Sequence, residues 1–179
     1  MLQTESTQLL VVDIQGNLAQ AMYEKEALFN NLQVLIKGIQ ALDIPIVWAE
    51  QIPEKLGPTI PEVEDLLTGV KPIPKSYFSC CGHPALMQAI EQNNRKQVLV
   101  CGIEAHICVY QTSAELAAKG YEVQVVADAV SSRKCENKEI GLGKAKEAGA
   151  SVTSVETALF ELMKKAEGDV FRQLVKIVK

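Results

Sequence analysis

The chain has 179 residues, of which 47% are apolar and 22% charged, with a net charge of −4. Those values describe one compact domain, residues 1–179, that fills its core without disulfides or a structural metal. With no block of basic residues to grip phosphates and no apolar run near membrane-spanning length, they exclude nucleic acid and membrane as main partners. The expected partner is a small-molecule substrate. The N-terminal stretch MLQTESTQLLVVD lacks the basic region and apolar core of a secretory signal. Five cysteines, with no CxxC spacing, read as reduced thiols in a cytoplasmic protein.

In chain order, TQLLVVD (7–13) is the first predicted strand, followed by a helix carrying Leu28, Leu32, Leu35, Ile39 and Leu42. IPIVWAE (44–50) is the second strand, and QIPEKLGPTIPE (51–62) is an irregular stretch placed to border a site as a lid. KPIPKSYF (71–78) is extended, its two prolines marking a sheet edge. QVLVCG (97–102), EVQVVAD (122–128) and ASVTSV (150–155) complete the strands. Their continuous apolar character suits a parallel sheet buried on both faces. A helix beginning near Cys108 closes at Gly120, another spans 136–149, and the stretch from Val155 to Lys179 reads as helical. Strand–helix alternation of this kind predicts a doubly wound α/β fold. In the closing helix Val170, Phe171, Leu174, Val175 and Val178 form an apolar set expected to be exposed, hence a homo-oligomer.

Ligands of such sheets bind beyond the strands' carboxyl ends, where strand order reverses. Asp13 ends the first strand, Cys108 follows a central one, and Lys75 lies on the extended segment. Taken singly each has an ordinary reading: a turn cap, a solvated lysine, a core-filling thiol. Together they bring a carboxylate, an ammonium and a thiol to one crevice. Cys108 is expected at a helix start, where the local positive potential favours thiolate. Gln15, Gln51 and Phe78 are expected to line the substrate pocket by position alone. His106, two residues before Cys108, is not expected to pair with it. Gly141-Leu-Gly143 follows no strand, so no dinucleotide fingerprint is read there.

The segments LLVVDIQ around Asp13, KPIPKSYFS around Lys75 and GIEAHICVYQT around Cys108 resemble the isochorismatase-like cysteine hydrolases. The likeness runs from about residue 7 to about residue 155. EQIPEKLGPTIPE, KSYFS and VVADAVSSR (125–133) are similar to the isochorismatase-domain-containing subgroup. The resemblance implies a six-stranded, mainly parallel sheet with helices on both faces, a Rossmann-like three-layer sandwich. It implies Asp13, Lys75 and Cys108 as the catalytic set and no cofactor. It further implies a cis peptide bond between Ile103 and Glu104, with the Glu104 and Cys108 amides forming an oxyanion site. Nicotinamide-cleaving members carry a metal held by Asp and His after the second strand. Here that region reads AEQIPEKLGPT, without histidine, so no metal is expected.

The activity expected is hydrolysis of a C–N bond, in an amide, carbamoyl or ureido group, through a Cys108 thioester. The alternatives are vinyl ether hydrolysis with Asp13 as acid, a non-catalytic scaffold keeping the fold, and a flavodoxin-like carrier. The last requires a phosphate loop after the first strand, and Asp13-Ile-Gln-Gly16 makes a poor one because its carboxylate repels phosphate.

Overall fold

A computed structural model describes residues 1–179. Strand β1 (Thr7–Val12) leads through α1 (Gly16–Gln20) and α2 (Lys25–Ala41) to β2 (Ile46–Gln51). Two single-turn helices, α3 (Pro53–Leu56) and α4 (Pro61–Glu64), precede the short strand β3 (Ile73–Lys75). A 3₁₀ turn at Cys80–Gly82 and α5 (Pro84–Gln92) then deliver the chain to β4 (Gln97–Ile103). After a π-helical turn at Ala105–Val109 come α6 (Tyr110–Ala118), β5 (Glu122–Ser131), α7 (Cys135–Glu147) and β6 (Ser151–Thr153). Helices α8 (Val155–Met163) and α9 (Gly168–Val178) end the chain.

The six strands form one sheet in the order β3-β2-β1-β4-β5-β6, with every pairing parallel. All residues of β1 and β4 are buried, and past Thr7, Gln8 and Gln97 their sequences read as continuous apolar runs. Side chains alternate between the two faces. Leu9 and Val11 join a core with α2 and α8, while Leu10 and Val12 join another with α5, α6 and α7. The expected doubly wound architecture, with helices on both faces, is the one observed.

Strand order reverses between β1 and β4. The chain runs outward from β1 to β3 on one side, and from β4 to β6 on the other. Gly102 makes that junction close. Its φ is 119°, and a Cβ there would fall 2.0 Å from the Val12 carbonyl oxygen. A second close approach sets the loop after β4. At Gly141 on α7, a Cβ would lie 2.4 Å from the Ala105 carbonyl carbon and 2.6 Å from the His106 nitrogen. Gly141→Ala must therefore displace the backbone that carries Cys108. Overpacking of this kind is expected to lower the melting temperature by about 4 °C or more in a thermal melt. An unchanged melt would mean that the two segments separate without cost.

The C-terminal stretch departs from the sequence reading. It is two helices, because Lys164 (φ 60°) and Gly168 (φ 89°) take left-handed conformations between them. Its apolar set is also less exposed than expected. Leu174 is fully buried and Val178 packs on the α2 core, leaving Val170 as the exposed member. The irregular stretch 51–62 differs as well: α3 and the start of α4 replace an open loop, and Thr59 between them pairs with Gln15.

Candidate active site

Asp13 leaves β1 in a left-handed conformation (φ 55°) that a short polar side chain tolerates. Its amide donates to the Ala49 carbonyl at 3.1 Å, so its position is set by both β1 and β2. Lys75 is the last residue of β3, and its carbonyl accepts from the Ile52 amide at 2.9 Å. Its side chain runs under the sheet edge into the crevice, where its Nζ lies 2.7 Å from Asp13 Oδ2. The side chains of this ion pair are 0% and 2% exposed. Lys75 Nζ also donates to Gln51 Oε1 at 2.7 Å, and to the carbonyls of Tyr77 and Phe78 at 3.1 and 3.3 Å. Every ammonium proton thus has an acceptor, as a buried cation requires.

The second carboxylate oxygen differs. Asp13 Oδ1 is buried and makes no hydrogen bond of normal geometry. The Cys108 thiol lies near enough that the two groups alter each other's proton affinity. Burial raises the Asp13 pKa above its ordinary 3.8, against the opposing pull of Lys75. Burial likewise pushes the Cys108 thiol up, and the neighbouring Asp13 charge adds to that. The expectation of a helix-start thiolate is corrected here. Cys108 sits inside the π-helical turn that begins at Ala105, and it rests as a neutral thiol. The dipole of a helix start cannot offset desolvation beside a carboxylate.

The three residues expected together are brought together, and they line or underlie one cleft of about 110 Å³. Asp13, Gln51, Glu104 and Cys108 supply its polar edge, and Leu18, Leu56, Phe78, Ile103 and Ile107 its apolar walls. Gln51 and Phe78 reach the cleft as expected. Gln15 does not. Fully buried, it donates to the carbonyls of Gln51 (3.1 Å) and Gly57 (2.7 Å), and accepts from the Gln51 amide at 2.6 Å. It ties the ends of β1 and β2 to the segment that bears Leu56. That segment borders the cleft but is held down, with Gly16 bonded to Pro58 and Ile60 to Ile14.

The Ile103–Glu104 peptide bond is cis, as the resemblance implied. His106 turns away from Cys108, its Nδ1 lying 3.0 Å from Ser132 Oγ. The Glu104 carboxylate accepts from both the amide and the Nε of Arg133, each at 3.1 Å. Sequence reasoning overlooked Glu50. It is buried at the end of β2, and its Oε1 accepts from the Thr59 amide and hydroxyl, both at 2.7 Å. Trp48 Nε1 donates to the same hydroxyl at 2.9 Å. A carboxylate closing the apolar run IPIVWAE was the available signal, since a buried charge needs partners.

Glu50 is the one acidic side chain of the AEQIPEKLGPT stretch that is buried near the cleft, and Thr59 occupies it. No three His, Cys, Asp or Glu side chains cluster closely enough to hold a metal ion. The residues therefore do not fit the metal site of the nicotinamide-cleaving relatives. A smaller cavity of about 70 Å³ beside Tyr23, Asn31 and Asp128 contains none of the candidate residues. No helix is long and apolar enough to cross a membrane.

The family model of the isochorismatase domain matches residues 7–157. The secreted isochorismatase effector Isc1 of Phytophthora sojae is 34% identical over 179 residues, spanning 97% of this chain and 85% of its own. Isochorismatase domain-containing protein 2A of Mus musculus is 32% identical over 176 residues, spanning 98% of this chain and 84% of its own. Among solved structures, MAR1 ribonuclease from Caenorhabditis elegans superposes with a TM-score of 0.92 at 29% identity, covering 99% of this chain and 91% of that one.

Proposed function

Because the chain belongs to the isochorismatase family, we propose that it is a cysteine hydrolase cleaving a C–N bond of a small amide, carbamoyl or ureido compound. The observation that carries this reading is the division of labour on Asp13. Lys75 occupies Oδ2 at 2.7 Å, while the buried Oδ1 beside Cys108 is left without a partner. A structural ion pair would have no reason to keep an unsatisfied acceptor next to a thiol, since burying one costs about 1–3 kcal/mol.

The reaction follows from the resting protonation states. Asp13 Oδ1 takes the thiol proton as Cys108 sulfur attacks the carbonyl carbon, so charge moves from sulfur to the carbonyl oxygen. The amides of Glu104 and Cys108 are the proposed donors to that oxygen. Asp13 returns the proton to the departing nitrogen, the C–N bond breaks and a thioester remains. Water then attacks the thioester, giving a proton to Asp13, which restores the thiol as the acid leaves. Lys75 keeps Asp13 oriented and balances the negative charge as it passes between carboxylate and sulfur. Gln51, bonded to Lys75 Nζ, positions the ammonium.

The ribonuclease designation of the Caenorhabditis neighbour is not carried over. The net charge of −4 and a cleft lined by no Lys, Arg or His argue against a polyanionic substrate. The test is a panel of small amides, carbamates and ureides, run with the thiol free and blocked. Turnover lost on blocking is expected; turnover indifferent to blocking would overturn the reading.

Two further results are expected of the active compound. Catalysis needs ionised Asp13, whose pKa burial raises, so activity must fall as acidity protonates it. The acid limb of kcat/KM against pH is thus expected above the ordinary carboxylate value of 3.8. A rate constant flat down to that value would remove Asp13 as the base. Strong chelators are expected to leave turnover unchanged, because Glu50 is already taken by Thr59 and no histidine is at hand. Loss in chelator with recovery on adding zinc would contradict this.

A further inference from the structure

We propose that the cleft selects uncharged compounds, and that the buried Glu104 carboxylate is the residue that turns anionic ones away. This rests on the proposed cysteine chemistry only in taking Cys108 as the point a substrate must reach. The cleft is small, about 110 Å³ against the roughly 300–1,000 Å³ of sites for drug-sized ligands. Its walls are apolar, with Leu56, Phe78 and Ile107 among them, and the charged side chains facing it are Asp13 and Glu104. Asp13 is neutralised by Lys75 beneath it.

Glu104 is placed otherwise. It is 6% exposed and reaches the wall directly after β4. Its partner Arg133 grips Oε1 from the outer side, with its own side chain 59% exposed and absent from the cleft lining. The cation therefore sits toward solvent and is screened, while the carboxylate sits toward the substrate. A ligand carboxylate entering beside Cys108 would meet a like charge across an apolar gap, with no Lys, Arg or His in the cleft lining to receive it. A neutral carbonyl compound meets no such barrier. The same argument disfavours vinyl ether hydrolysis of isochorismate, which is a dianion at neutral pH.

Iodoacetamide and iodoacetate form a matched pair for the test. They are nearly equal in size, differ by one negative charge, and both alkylate a thiol by displacing iodide. The rate at Cys108 with each is read by peptide mass mapping, and the ratio is compared with that of free N-acetylcysteine. The ratio at Cys108 is expected to favour the neutral reagent by about tenfold more than the free thiol does. Glu104→Gln is expected to bring it back toward the free-thiol value. Arg133→Met, which removes only the outer cation, is expected to widen it. Because Arg133 is exposed, this second variant tests the proposal even if Glu104→Gln does not fold. A Cys108 ratio equal to that of the free thiol, an Arg133→Met ratio that narrows, or a Cys108 that neither reagent reaches would each overturn the proposal. Alkylation needs no hydrolysis. A protein that shows the selectivity but cleaves no amide keeps this inference while losing the proposed function.

Discussion

Cys108→Ser is expected to lower turnover of the active compound by about a thousandfold or more, while the protein folds and melts as before. The hydroxyl takes nearly the same space in the cleft wall, so packing changes little. A hydroxyl gives up its proton far less readily than a thiol, and Asp13 is not basic enough to compensate. Burial raises its pKa, but the Lys75 ammonium opposes that rise. The measurement is kcat/KM beside a thermal melt. If the serine variant keeps its melt and its activity, the thioester route is wrong.

Lys75→Met is expected to cost about a hundredfold or more in kcat, and here the structure adds a cost that the sequence did not reveal. The Lys75 side chain is fully buried and bonds to four acceptors on β1, β2 and the loop after β3. Removing it leaves Asp13 buried without its partner, which typically destabilises a fold by about 3–5 kcal/mol. Stability and activity should therefore fall together in the single variant. The double variant Asp13→Asn/Lys75→Met separates them. With both charges gone most of the stability is expected to return, since a neutral pair carries no desolvated charge, but turnover stays lost. Recovery of turnover in the double variant would show that the pair holds the fold and does no chemistry.

The central strands of this fold were legible because β1 and β4 are buried on both faces and carry continuous apolar runs. The edge strand was legible as an edge through Pro72 and Pro74, which lack an amide proton for a second neighbour. It proved shorter than the extended segment, three residues against eight. The break between α8 and α9 was harder to see. Apolar spacing continues through Leu159 and Leu162 to Phe171 and Leu174, and Gly168 was the single mark of interruption. Asp13, Lys75 and Cys108 were identified by the likeness of three short segments; no one of them stands out alone. Gln15 and Glu50 illustrate what pattern does not carry. Both are polar, both are buried, and their partners Gly57 and Thr59 lie in the irregular segment that tertiary folding brings back over β1 and β2. The resting state of Cys108 was likewise hidden. Its place after a strand pointed to a helix start, but a π-helical turn draws it inward, beside Asp13 and away from water.

The central claim is a covalent acyl group on Cys108. Acid quenching during turnover of the active amide, followed by intact mass and peptide mapping, tests it most directly. The expected result is a mass increase equal to the acyl group, carried by the peptide containing Cys108 and absent from Cys108→Ser. Rapid turnover with no adduct in the wild-type protein, together with an active Cys108→Ser, would contradict it.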